Sequence, residues 1–149
     1  SVEEYECVMS FAEWFNETKP IVLAREFVVV NEKEFYAGMV DLVCIIDGKP
    51  YLIDLKTSPN IWPSHELQVS AYRRATSELV KDLSRSQTAI LQLGYKKNKY
   101  KKYKFTEVED KYDEFLAAKL IWQNETAGVC PKQKDYPQSL KLNIEPQSI

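Results

Sequence analysis

Asp41, Asp54 and Lys56 are the residues in this chain whose types and spacing could do chemistry. Between the two aspartates lies Asp47-Gly48, flanked by apolar runs. That dipeptide favours a type I′ hairpin, because both central turn positions need φ above zero. If these two residues form the loop, Ile46 faces Lys49, Ile45 faces Pro50, and by the same count Asp41 faces Asp54. Pro50 then falls in a pair that exchanges no hydrogen bonds, where its missing N–H leaves the ladder intact. Asp41 and Asp54 fall in a pair of the same kind, which brings Cα atoms to about 4.5 Å.

Like charges directly opposite one another destabilise a sheet. The face they are expected to share also carries Val43, Ile45 and Leu52, so repulsion there is weakly screened. Such a pair requires a cation or a shared proton. Lys56 projects from the same face, because strand side chains repeat every second residue. Two hard oxygen donors beside an ammonium suit Mg²⁺ or Mn²⁺ acting on an anionic substrate. Phosphodiester hydrolysis uses such a set: the ion acidifies a water, and the lysine orients it or steadies the phosphoryl oxygens. The competing reading of Asp-x-Lys alone is a structural ion pair at a strand end. The opposed Asp41 and the apolar surroundings weigh against it.

These residues must be positioned by an α/β (α+β) arrangement in the order α-β-β-β-α-β-β-α. Ser1 with Glu4 marks a capping box for a helix over 2–15, with Tyr5, Val8, Met9, Ala12 and Phe15 as its apolar stripe. Strands follow over 21–30, 35–46 and 50–56. In the second, Val40, Leu42, Cys44 and Ile46 should line one face and Val43 and Ile45 the other, so both faces are covered. A loop with two prolines leads to a helix over 64–83, with Leu67, Ala71, Ala75, Leu79 and Leu83 at helical spacing. Strands over 88–95 and 99–105 come next. Thr106 with Glu109 marks the start of a last helix reaching Asn124, whose stripe runs through Tyr112, Phe115, Leu116, Lys119 and Trp122.

At 149 residues, with 44% hydrophobic and 28% charged residues, the chain is read as one domain over 1–149, with 127–149 an extended tail. It opens on Ser1 rather than Met, which leaves room for an upstream segment. The net charge of −2 gives no global sign of a nucleic-acid partner, so any such surface must be local. Cys7, Cys44 and Cys130 are too dispersed for a zinc knuckle or disulfide framework and read as reduced thiols, which fits a cytoplasmic location. No apolar run approaches the roughly 18 residues of a membrane span.

In order, the chain carries Gly38-Met39-Val40-Asp41, then Asp54-Leu55-Lys56-Thr57, then Gln68-Val69-Ser70-Ala71-Tyr72. Together these resemble the GxxD, (D/E)xKT and QxxxY elements of the PD-(D/E)XK nuclease superfamily, in its RecB-type and phage exonuclease-like branch. The resemblance covers about 20–93. It implies a restriction-endonuclease-like core, a mixed central sheet flanked by helices, and metal-dependent cleavage of DNA, most often from an end, in phage or mobile-element recombination and repair. Its setting would be a bacterial or phage-infected cell. By motif, Asp41 and Asp54 would be metal ligands, with the Leu55 backbone carbonyl a third and Glu26 an extra acidic ligand. Lys56 would be the catalytic lysine, and Gln68 and Tyr72 would line the site for substrate. A site-specific or structure-selective endonuclease, or a nuclease-like module that binds DNA or protein without cutting, remains the alternative. The chain departs from the branch in having no histidine before the first strand. Its one histidine, His65, reads as a solvated residue at a helix start.

The run from Tyr95 to Lys104, YKKNKYKKYK, interleaves six lysines with three tyrosines. Lys96, Lys97, Lys99 and Lys101 could track a DNA backbone while tyrosines stack on bases, or could guard an edge strand against aggregation. Trp14 and Trp122 sit on helical stripes and read as core. Trp62, in the loop after Lys56, reads as core filler or a nucleotide contact. A homo-oligomer or protein partner is left open.

Overall fold

The computed structural model describes residues 1–94 and 102–128. Among them the elements run α1 (Val2–Thr18), β1 (Ile21–Asn31), β2 (Tyr36–Ile46), β3 (Lys49–Lys56), α2 (Pro63–Leu79), a 3-10 turn (Lys81–Leu83), β4 (Gln87–Leu93), β5 (Tyr103–Val108) and α3 (Tyr112–Glu125). The strands form one sheet in the order β1-β2-β3-β4-β5. β3 and β4 are parallel and the other pairs antiparallel. A parallel pair needs a long crossover, and α2 supplies it. The molecule is therefore α+β, with a mixed five-stranded sheet between helices.

α1 covers one face of the sheet. Trp14 packs there with Leu42, Cys44, Tyr51, Ile53, Ala89 and Leu91. The other face meets α2, where Ala75 packs with Val29, Val40, Val43 and Leu52. α3 lies against α2, and Phe115 meets Tyr36 edge to face at 5.0 Å. No helix of the described residues is long and apolar enough to cross a membrane.

The hairpin forms as its turn chemistry requires, with φ of 50° at Asp47 and 77° at Gly48. Ile46 pairs with Lys49, Ile45 with Pro50 and so on to Leu42 with Ile53. There the β2–β3 ladder stops, so the expected ladder pair of Asp41 with Asp54 does not form. In a continued ladder the Leu55 N–H would face the Val40 carbonyl. Instead it donates to Asp41 Oδ2 at 2.7 Å. A side-chain carboxylate thus replaces a backbone acceptor where the strands part.

The face alternation of β2 breaks at the same level. Leu42 and Cys44 belong to the α1-side core, but Val40 joins Val43 on the α2 side rather than lining the face of Leu42. β1 breaks alternation in step: Ala24 and Phe27, three residues apart, both reach the α2-side core, and between them Glu26 takes φ 49°.

Several helix expectations are corrected. The capping box of Ser1 and Glu4 is present, but Tyr5, Val8 and Met9 are exposed. α1 buries the adjacent stripe of Cys7, Ser10, Phe11, Trp14 and Phe15, because the large rings of Trp14, Phe11 and Phe15 bring more apolar area to the sheet. α2 ends at Leu79, which is exposed, rather than running on to Leu83. Thr106 lies within β5, paired with Ile90, rather than capping a helix. Asp110 takes over at the start of α3, its Oδ1 accepting from the Tyr112 N–H at 3.2 Å. Trp122 is 63% exposed and is not core.

Trp14, 1% exposed, stacks with Phe105 at a 6.3 Å ring separation and touches Phe11 and Phe15. Trp14→Ala is expected to lower stability by about 3–5 kcal/mol in urea unfolding. Trp122→Ala should change it by less than about 0.5 kcal/mol, as a surface substitution. Equal losses from the two would contradict this placement of the core.

Candidate active site

Asp54 and Lys56 sit on the last turn of the β3 pleat, on the face that α2 covers. Leu52, two residues earlier, belongs to the α2-side core, and period two carries the same side to Asp54 and Lys56. Asp54 is 3% exposed. Its Oδ2 lies 2.7 Å from Lys56 Nζ, and this ion pair is its one polar partner among the described residues. Burial raises the Asp54 pKa above the ordinary carboxylate range. Lys56 opposes that rise, Asp41 adds to it through like charge, and His65 acts weakly in the lowering sense.

α2 reaches the same spot from above. Lys56 Nζ donates to Gln68 Oε1 at 3.2 Å, and Gln68 Nε2 donates to Tyr72 Oη at 2.6 Å. Gln68 and Tyr72 stand one helical turn apart and so share a face. The Tyr72 ring lies over Gly38 of β2, where a Cβ would come within 2.2 Å of Cε1. The glycine is thus required by close approach of a ring, not by backbone angle. A cleft of about 360 Å³ opens beside Gln68 and Tyr72, bordered by Tyr36, Ser64, Leu67 and Phe115.

The fold therefore brings Asp41, Asp54, Lys56, Gln68 and Tyr72 to one place. Asp41 is half-buried and held through its contact with the Leu55 N–H. Glu26 is exposed and makes no ion pair or side-chain hydrogen bond among the described residues. Arg25 pairs with Leu42 and Phe27 with Val40, so Glu26 falls at the level of Asp41 on the neighbouring strand. No group of three His, Cys, Asp or Glu among the described residues is gathered closely enough to hold an ion. Lys96, Lys97, Lys99, Lys101 and Cys130 lie outside the described residues. Of the lysine-rich run, Lys102 pairs with Glu6 at 3.8 Å.

The donor set fits a hard divalent ion in one mode. Mg²⁺ is commonly bound through one or two carboxylates and completed by substrate phosphate and water. Two carboxylates act on each other electrostatically here, one of them buried with its Oδ2 held by Lys56 alone, and the Leu55 carbonyl is adjacent in sequence. The pKa of the buried Cys44 thiol is pushed up to about 11 by desolvation, and Cys44 and Cys7 form no disulfide among the described residues.

Sequence reasoning missed one residue and read another, His65, as solvated. Gln92, 1% exposed on β4, is in register with Lys56 and donates through Nε2 to the Ser58 carbonyl at 3.0 Å, which fixes the loop leaving Lys56. A glutamine inside the apolar run Ala89–Leu93 was the available signal. His65 is half-buried rather than solvated, and its Nδ1 accepts from the Trp62 N–H at 3.4 Å. No family model matches the chain, and no curated protein matches it.

Gly38→Ala should force Tyr72 from its seat and lower stability by about 1–3 kcal/mol, as overpacking does. Combined with Tyr72→Ala, the alanine should cost less than it does alone, a coupling that a double-mutant cycle would measure. A second expectation follows from the sign of the Asp54 shift. A raised carboxyl pKa means that the folded state holds the proton more tightly than the unfolded one, so stability falls as pH rises through the raised value. Asp54→Asn removes that penalty. Its melting temperature should exceed the parent's at pH 8 and converge with it as pH falls below the ordinary aspartate value of about 3.9. A melting temperature at or below the parent's at pH 8 would contradict net destabilisation by the ionised group.

Proposed function

We propose that this chain is a divalent-metal-dependent DNA nuclease of the PD-(D/E)XK type, acting from DNA ends, with its mixed sheet serving as a restriction-endonuclease-like core. The observation that carries the reading is the continuous contact from Asp54 through Lys56 and Gln68 to Tyr72 and Gly38. All three sequence elements of the resemblance meet in it, although Gly38 and Tyr72 lie far apart in sequence. A structural ion pair at a strand end would have no need of a glutamine and a tyrosine from another element.

Asp41, Asp54 and the Leu55 carbonyl would hold Mg²⁺ or Mn²⁺. When bound, the ion supplies positive charge to the phosphate and a more acidic water. Asp54 contributes a carboxylate in a dry setting, where its interaction with a cation is least screened. Asp41, pinned by the Leu55 N–H, is preorganised and need not reorient when substrate arrives. Lys56 presents its ammonium to the phosphoryl oxygens or to the attacking water, the charge developing as the new P–O bond forms and the P–O bond to the leaving sugar breaks. Gln68 aims Lys56, and Tyr72 aims Gln68. Neither acts on substrate to do so. Glu26 lies at the right level on β1 to serve as a further acidic group.

The test uses end-labelled linear DNA and circular DNA with Mg²⁺, Mn²⁺ or EDTA. Linear DNA should be degraded from its ends with either ion and not in EDTA, and circles should survive. Lys56→Ala should lower the rate by at least about 10²–10³-fold, the usual loss for a preorganised group that stabilises transition-state charge. Nicking of circles would replace the exonuclease reading by an endonuclease one. Absence of cleavage with either ion would overturn the reading.

A further inference from the structure

Trp62 is 55% exposed, whereas Trp14 is 1% exposed. Leaving an indole in water forgoes a large burial gain, and exposed aromatics concentrate where something binds. No ring among the described residues packs against Trp62. Its position is also fixed. Pro59 and Pro63 bracket the segment and restrict its backbone. Trp62 is the N-cap of α2, its carbonyl accepting from the His65 N–H at 2.9 Å and its own N–H donating to His65 Nδ1. Behind it, Gln92 clamps the Ser58 carbonyl. A large flat side chain is therefore held at the surface by a short stiff connection.

The location gives the exposure a meaning. Trp62 precedes Gln68 by six residues on the same helix, about 9 Å along its axis at the usual rise. Gln68 touches Lys56, and His65, one turn from Trp62, acts on Asp54 electrostatically. Nucleotides in one strand follow at about 3.4 Å when stacked. A single strand with a phosphate at Lys56 covers that axial distance in about two to three nucleotides. In a duplex a base's faces are covered by its stacked neighbours, so an indole can take one only from an unpaired strand.

We propose that Trp62 is a stacking platform for an unpaired nucleobase, so that this site takes single-stranded DNA or a frayed end in preference to closed duplex. The inference rests on the nuclease reading for its substrate but not on cleavage. It is tested by fluorescence anisotropy in EDTA with a labelled oligothymidylate and a labelled hairpin duplex lacking overhangs. Trp62→Ala should raise Kd for the single strand roughly 5- to 100-fold, the range expected for loss of one base–aromatic stack. Trp62→Phe, which keeps a ring, should retain most of the affinity, and Trp122→Ala should behave as the parent. Hairpin affinity should stay within about twofold in every variant. Unchanged single-strand affinity in Trp62→Ala, equal loss on strand and hairpin, or no DNA binding by the parent would each overturn the proposal. Should Trp62 govern strand binding while the Lys56 assay shows no cleavage, the catalytic reading alone fails.

Discussion

Asp54 is an ionisable group held almost entirely out of water, and its ion pair with Lys56 is the interaction around which this part of the molecule is arranged. Burial works against its charged form, and Lys56 only partly offsets that. Breaking such a pair leaves an uncompensated charge, whereas an apolar pair of similar size would be no less stable. The arrangement is thus poorly explained by stability, and a carboxylate in a dry setting is what the proposed nuclease site would need. The neighbours follow from it. Lys56 would otherwise have many rotamers, and Gln68 restricts it. Gln68 is fixed by Tyr72, and Tyr72 can reach it only because position 38 has no Cβ.

The parting of β2 from β3 serves the same end. A regular ladder would have set the two aspartates directly opposite each other, with repulsion unrelieved. Ending the pairing at Leu42 and Ile53 lets Asp41 accept the Leu55 N–H, which satisfies a backbone donor and gives one carboxylate a hydrogen-bond partner. β1 and β2 both break face alternation at this level without a change of register, so Val40 and Val43 can both pack beneath α2 while Leu42 stays under α1. Local irregularity of this kind collects at functional sites because regular geometry rarely aims side chains where chemistry needs them.

The α1 side of the sheet carries little of this burden. It is a packed aromatic and aliphatic layer, with Trp14 at its centre and Ser10 accepting the Gly94 N–H at the end of β4. Both faces of the sheet thus carry an apolar core, and the α2 face also carries the buried charge.

What the sequence determined by itself was whatever depends on neighbours in the chain. Asp47-Gly48 dictated the hairpin and its register, strand periodicity put Lys56 on the face of Asp54, and the i, i+4 spacing put Gln68 beside Tyr72. Element order was legible for the same reason, since turns, caps and apolar runs are local. Only the tertiary structure decided which stripe of α1 is buried, because Tyr5-Val8-Met9 and Phe11-Trp14-Phe15 are both apolar and the choice lies in fit to the sheet. Thr106 offered both a cap and a strand position, and pairing with Ile90 settled it. Trp122 lies at the end of a stripe whose earlier residue Phe115 meets Tyr36, yet it stays exposed itself. The break in alternation at Asp41 had no sequence signal either. It arises from two strands, a carboxylate and a helix competing for one place, and competition of that kind is a property of the packed molecule.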